Sequence, residues 1–128
     1  MKLILKIVLS VFILFVLLAG GGIFYLTRGL DAGSGLVINT VNLSNLSDDK
    51  YIGNYNNGRW TNVLSVIVKD HKIVKIDVVE DVMLSRPELT KELFNNVIEK
   101  QNTDVDVISE ATVTSKAYLK SIEDALTK

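Results

Sequence analysis

A cluster of hydroxyl side chains lies near the end of the sequence, in the stretch DVISEATVTS at 106–115. It comes just before an amphipathic run that is typical of a helix. The first N–H groups of a helix lack intrahelical partners and lie at the positive end of its dipole, so they form a natural anion site. Hydroxyl groups at such a position can cap the helix, hydrogen-bond a phosphate, or carry one covalently.

The simplest interpretation of this cluster is a capped helix. Ser109 or Thr112 would then be the N-cap, and Thr114 and Ser115 would be ordinary residues of the first turn. Choosing between a cap and an anion site depends on the elements that surround the cluster.

Composition excludes several kinds of site. The chain of 128 residues has no cysteine and a single histidine, so disulfides, cysteine-ligated metals and iron–sulfur clusters are excluded. Three of the 14 basic residues, Lys2, Lys6 and Arg28, flank an N-terminal apolar run, whereas all 15 acidic residues follow it. The remainder is therefore acidic overall and lacks the basic face that nucleic-acid binding requires.

The N-terminal apolar run extends from residue 7 to residue 26 without a charge. A helix of about 20 such residues spans the roughly 30 Å hydrocarbon core of a bilayer. Because Lys2 and Lys6 precede the run, the positive-inside rule predicts a cytoplasmic N-terminus and an extracytoplasmic remainder. A cleaved signal peptide is the alternative, but the run is longer than a typical signal core and continues past Gly20–Gly22. The sequence thus predicts a cell-membrane signal anchor at 1–28, a flexible linker at 29–40 and a domain at 41–128.

Three strands are predicted in the first half of this domain. They are residues 50–55, 60–69 and 73–78, separated by a turn at 56–59 that contains Asn-Gly and a turn at 70–72. The second strand is apolar throughout, which is typical of a central strand with a helix on one side. In the third strand, alternation places Val74, Ile76 and Val78 on one face. The pattern predicts an antiparallel meander.

Two amphipathic helices are predicted after the meander. Residues 87–100 begin with the only proline, follow a Ser85–Glu88 capping-box spacing, and carry apolar residues at helical intervals. The second helix follows the hydroxyl cluster, and its apolar face is Ala117, Tyr118, Ile122, Ala125 and Leu126. The predicted fold class is α+β, with a transmembrane helix followed by a β-meander and two packed helices.

The other residues that could be catalytic or ligand-binding are expected to have structural roles or to be solvated. His71 lies in a predicted turn between charged neighbours, Trp60 is expected in the core, and the pair Glu80–Asp81 has no histidine partner. No Ser/His/Asp or carboxylate-pair arrangement indicates a hydrolase.

The hydroxyl cluster resembles the flavinylation motif of the FMN-binding domain family. In that motif an Asp, two residues, and then Ser/Thr-Gly-Ala-Ser/Thr-x-Ser/Thr end in the modified hydroxyl. The matching residues here are Asp106, Ser109, Ala111, Thr112 and Thr114, whereas Glu110 stands where the family has Gly. The order of the preceding strands also resembles the opening of these domains, so the resemblance covers residues 43–126.

The resemblance implies that Thr114 carries FMN through a phosphodiester. A separate flavin transferase would install it from FAD with a divalent metal. Ser109 and Thr112 would lie near the phosphate or shape the turn, and Ala111 would leave room for it. The protein would then be a membrane-anchored electron-transfer module rather than a self-sufficient enzyme. It is similar to the flavin subunits of Rnf-type and sodium-pumping NADH:quinone reductase complexes, which implies a membrane redox complex as its partner.

Glu110 leaves an alternative open. Glycine at this position could supply a positive φ or allow close backbone approach, and a carboxylate would repel a phosphate. The chain could instead be a degenerate FMN-binding-like domain without cofactor, acting as an extracytoplasmic binding or scaffold module. An unrelated membrane-anchored interaction domain is a third hypothesis.

Overall fold

The computed structural model describes residues 1–127 and has the predicted α+β architecture. Lys128, the last residue of the predicted domain, lies outside the described residues. The elements in chain order are α1 Lys2–Thr27, α2 Leu30–Ser34, β1 Asp49–Tyr55, β2 Asn62–Lys69, β3 Lys72–Glu80, α3 Pro87–Lys100 and α4 Thr112–Thr127. Short 3-10 turns at Leu43–Asn45 and Gly58–Trp60 precede β1 and β2.

Helix α1 has 26 residues and none of them is buried against the rest of the chain. It is long and apolar enough to cross a membrane. At 1.5 Å per residue it measures about 39 Å, which exceeds the hydrocarbon thickness of a bilayer. An N-terminal helix of this length and composition fits either a membrane span or a signal sequence.

The three strands form an antiparallel sheet in the order β1-β2-β3, as the meander predicted. The β2–β3 turn contains Asp70 and His71, and both have positive φ, at 52° and 61°. Two left-handed residues between paired strand ends are the requirement of a type I′ hairpin. His71 is therefore an exposed turn residue, as predicted.

The β1–β2 connection is longer than the Asn-Gly signal suggested. Asn57 is extended, Gly58 has φ +54°, and a 3-10 turn delays β2 until residue 62, two residues after its predicted start. The reason is Trp60, which enters the core and is only 2% exposed. Burial of this indole removes a large apolar surface from water and so stabilises the fold.

Strand β3 departs from the predicted alternation. A register irregularity between Ile67 and Val68 pairs Val68 with Ile73 and Ile67 with Lys75. Residue 74 is thereby displaced, so Ile73 and Ile76 are buried whereas Val74 is exposed. Val74, Ile76 and Val78 were predicted to lie on one face, but Ile76 is buried whereas Val74 is exposed, because a bulge shifts the side-chain phase by one residue.

Helix α4 packs directly on the backbone of β1 and β2. A Cβ atom at Gly53 would overlap the carbonyl oxygen of Ser121 and the backbone nitrogen of Ala125. Beside this contact, the Ser121 hydroxyl donates to the Asn62 side-chain oxygen at 2.6 Å, and both residues are buried. The predicted apolar face of α4 is fully buried, and α3 lies beside it with Leu93, Phe94 and Val97 in the core.

The segment between α1 and β1 is packed against α4. Part of the predicted linker forms α2, whose Gly33 touches Val113 and whose Ser34 carbonyl accepts a hydrogen bond from Lys116 at 2.6 Å. Glu123 then accepts hydrogen bonds from the backbone and side chain of Asn39. Burial alone would raise the Glu123 pKa, but the hydrogen bonds from Asn39 and Lys120 outweigh it and lower the pKa.

We expect Gly53→Ala to lower the free energy of unfolding by about 2 kcal/mol, because backbone atoms of α4 cannot move aside for the new methyl group. Urea unfolding followed by the fluorescence of Trp60, the only tryptophan, would measure the change. Gly35→Ala is the matched control, since its Cβ would meet only the Asp31 carbonyl at 3.4 Å. Equal midpoints for the two variants would contradict this packing.

Candidate functional site

The first turn of α4 forms one wall of a pocket of about 170 Å³. Four residues at i, i+3, i+4 and i+7 face it, and this spacing places them on one side of the helix. They are Ala111, Thr114, Ser115 and Tyr118. The opposite wall comes from the turn before β2 and from the β3–α3 connection with the start of α3, and it includes Arg59, Leu84, Arg86 and Leu89.

The turn leading into α4 is held by a closed set of hydrogen bonds. The Ala111 N–H donates to the Ile108 carbonyl at 2.8 Å, and the Ser115 N–H donates to the Ala111 carbonyl at 2.8 Å. The Ile108 N–H donates to the Ser115 hydroxyl at 3.2 Å. The Ser115 hydroxyl therefore fastens the turn onto the helix.

Thr114 differs from its neighbour. It is half-buried in the pocket wall, and its hydroxyl has no hydrogen-bond partner among residues 1–127. Because Ser115 is buried and already engaged, Thr114 is the pocket hydroxyl that is available for an added group. The helix start confirms that Thr114 belongs to the first turn, but Ala111 rather than Ser109 or Thr112 precedes the helix.

Two arginines give the pocket positive charge. Arg59 lines one side and its guanidinium carbon lies 4.2 Å from the centroid of the Trp60 ring. Arg86 lines the other side, and it contacts Glu88 and Glu110, each at 3.3 Å. Glu110 also lines the pocket and, with Glu88, offsets the charge of Arg86. Arg59 and the N-terminal end of α4 are therefore the groups that favour an anion beside Thr114.

Glu110 does not strain the backbone. The non-glycine residues with positive φ between 1 and 127 are Asp70, His71, Leu84 and Gln101, so this position does not need glycine for its conformation. The side chain of Glu110 is 69% exposed and extends toward Arg86. Its charge is therefore screened by water and offset by an arginine.

Tyr118 closes the inner end of the pocket. It is 1% exposed, its hydroxyl donates to an Asp81 carboxylate oxygen, and its ring stacks edge-to-face on Phe94 with centroids 5.5 Å apart. Burial raises the pKa of Tyr118 far above its ordinary value of 10.0, and the hydrogen bond to Asp81 adds to the effect. The phenol thus stays protonated and its bond to Asp81 ties α4 to the end of β3.

The other predicted site residues lie apart from this pocket. Ser109 and Asp106 line a neighbouring surface depression, together with Glu110. Thr112 is half-buried and precedes Thr114 by two positions, which corresponds to about 200° around the helix axis. The structure thus brings together Thr114 and Ala111, and the roles of Ser109, Thr112 and Asp106 stay predictions.

Arg59, Arg86 and Tyr118 were not predicted as site residues. Arg59 and Arg86 precede Asp106, the first residue of the motif, by 47 and 20 positions in the chain. Tyr118 follows Thr114 by one helical turn, and that spacing was a usable signal.

Comparison with known families gives a direct match. The model of the family described as FMN-binding domain matches residues 57–127, which is more than half of the chain. No curated protein sequence matches the chain. The matched region includes β2, β3, α3 and α4, and so contains every residue of the pocket described above.

We expect Tyr118→Phe to lower the free energy of unfolding by about 1–2 kcal/mol, through loss of the hydrogen bond to Asp81. Because the folded-state pKa is raised, this contribution is complete below the ordinary value of 10.0 and is lost as pH rises above it. Urea unfolding of both proteins across this pH range would test the prediction. A difference that grows above pH 10 would contradict it.

Proposed function

This chain belongs to the FMN-binding domain family, and from that premise we propose that it carries FMN covalently on Thr114 and transfers electrons between membrane-linked donors and extracytoplasmic acceptors. The observation that supports the site is the free Thr114 hydroxyl beside two arginines at a helix start. A flavin-binding module follows from the family itself. The attachment, the electron transfer and the location are the proposal.

The residues around Thr114 suit a phosphate diester. The guanidinium groups of Arg59 and Arg86 can donate to phosphate oxygens, and the first N–H groups of α4 add partial positive charge. Two unit charges 4 Å apart interact by about 4 kcal/mol near a protein surface. Arg86 is already paired with Glu88 and Glu110, so Arg59 is the arginine whose charge is open to a phosphate, and Arg86 would have to exchange a carboxylate for it. The small side chain of Ala111 leaves space on the same wall.

Attachment would require a second protein. In the proposed reaction the Thr114 oxygen bonds to the FMN-side phosphorus of FAD, the pyrophosphate bond breaks, AMP leaves, and the hydroxyl proton passes to a base of the flavin transferase. A covalent link suits a domain outside the cell, since a tethered cofactor cannot diffuse away. When bound, the isoalloxazine supplies the redox chemistry, and this chain supplies its position and electrostatic surroundings.

The anchor supports the membrane assignment. Helix α1 is long enough to span a bilayer, and Lys2 and Lys6 at its start favour a cytoplasmic N-terminus. The pocket-bearing domain would then lie on the extracytoplasmic side. In this role the protein is a carrier that works with a membrane redox complex.

We expect Thr114→Val to abolish covalent flavin while leaving the fold intact, because valine keeps the shape of threonine and removes only the hydroxyl. Thr114→Ser is the matched control and should keep the flavin, since it keeps the nucleophile. Co-expression with a flavin transferase, in-gel flavin fluorescence and intact mass would provide the measurement. Flavin retained on the valine variant, or mapped to another residue, would overturn the assignment.

We expect Glu110→Gly to leave flavin occupancy unchanged, because Glu110 has neither a positive φ nor a buried side chain. The same co-expression and mass measurement applies. A strong gain of flavin in this variant over an unmodified parent would instead favour a degenerate domain that acts as a cofactor-free binding module.

A further inference from the structure

Two exposed apolar residues lie beside the Thr114 pocket: Leu84 lines it, and Met83 precedes Leu84 in the chain. Met83 and Leu84 follow β3, and Leu84 is 72% exposed although its φ is +58°. A left-handed backbone is costly for a bulky residue, and exposure of its side chain to water adds no stabilisation. Burial within the domain therefore does not offset the strain at Leu84.

Two contacts fix the position of Met83 and Leu84 along the axis of α1. The Tyr25 hydroxyl lies 3.6 Å from the Met83 sulfur, and the Arg59 Nε donates to the Leu26 carbonyl at 2.8 Å. Tyr25 and Leu26 belong to the last turn of α1, at the end of the apolar run. The Met83 N–H also donates to the Arg59 carbonyl at 2.9 Å, so the rim and the helix end are directly connected.

We propose that Met83 and Leu84 insert into the lipid surface beside α1 and seat the Thr114 pocket on the membrane. The inference rests on the proposed membrane anchor. Tyrosine and arginine at the end of a spanning helix are typical of the interface between hydrocarbon and headgroups, and Tyr25, Arg28 and Arg59 occupy that level. Apolar side chains at the same depth as these interfacial residues contact lipid, as the apolar faces of interfacial helices do.

The orientation of the pocket follows from this contact. Leu84 lines the same pocket as Thr114, so lipid contact at Leu84 places the pocket rim at the bilayer surface. A cofactor on Thr114 would then be within reach of hydrophobic redox molecules dissolved in the membrane. A protein partner that covers Leu84 from the water side is the competing occupant.

A single spin label can test the contact, because the chain has no cysteine of its own. The full chain would carry a nitroxide at Leu84→Cys and be reconstituted in phosphatidylcholine liposomes. Collision rates with oxygen, which concentrates in lipid, and with a water-soluble nickel chelate would be measured by electron paramagnetic resonance. Lys72→Cys is the matched control, because it is exposed at the opposite end of β3, roughly 25–30 Å away along the strand.

We expect the label at 84 to collide several-fold more with oxygen and several-fold less with the nickel chelate than the label at 72. Nickel access at 84 equal to that at 72 would overturn the proposal, and low access to both reagents would overturn it in favour of a protein contact. A label at Leu17→Cys, in the middle of α1, distinguishes failure of the lipid contact from failure of the anchor. If the label at 17 is exposed to lipid and the label at 84 to water, only the lipid contact of Leu84 is rejected. If the label at 17 is also exposed to water, the membrane anchor is rejected as well. Intact mass reports flavin on Thr114 independently of either result.

Discussion

The packing of α4 on the backbone of β1 determines where a site can form in this domain. Gly53 allows the helix to approach the strand without an intervening side chain, and the Ser121–Asn62 hydrogen bond holds the neighbouring strand at the same level. The central turns of α4 are thereby buried, while Thr112, Val113 and Thr114 of its first turn remain half-buried. One helix thus provides the core and also the hydroxyl-bearing turn, so the position of Thr114 depends on contacts two turns away.

The charge around Thr114 comes from segments that are distant in sequence. Arg59 is held by the Trp60 ring and a carbonyl of α1, and Arg86 by two carboxylates. Both arginines lie outside the motif in the sequence, so they come together with Thr114 only in the folded chain. Glu110 replaces glycine without positive φ and pairs with one of these arginines, which explains how the turn accommodates a side chain there.

Local periodicity was sufficient to predict most of the fold. The apolar run, the meander, helix 87–100 and the buried face of α4 all follow from spacing, and each is present. The bulge at β3 was beyond sequence reasoning, since it depends on how β2 and β3 pair, and it changed which residues are buried. The capping box was also wrong: Arg86 is the N-cap without a side-chain cap bond, and Glu88 pairs with Arg86 instead. For the site, the motif predicts Thr114, but the convergence of Arg59, Arg86 and Tyr118 requires tertiary contacts that no local pattern contains.

The junction between α1 and the domain is short and packed against the domain. Arg28 touches Gly58, Gly29 touches Asn57, and α2 then packs on the first turn of α4. A flexible arm would let the domain sweep through the space above the membrane and search for partners at many distances. This chain has no such arm between residues 28 and 34, so its pocket would work at one height above the bilayer. With the proposed anchor and flavin, a partner would have to present its own redox centre at that same height, and the encounter would become a two-dimensional search by lateral diffusion.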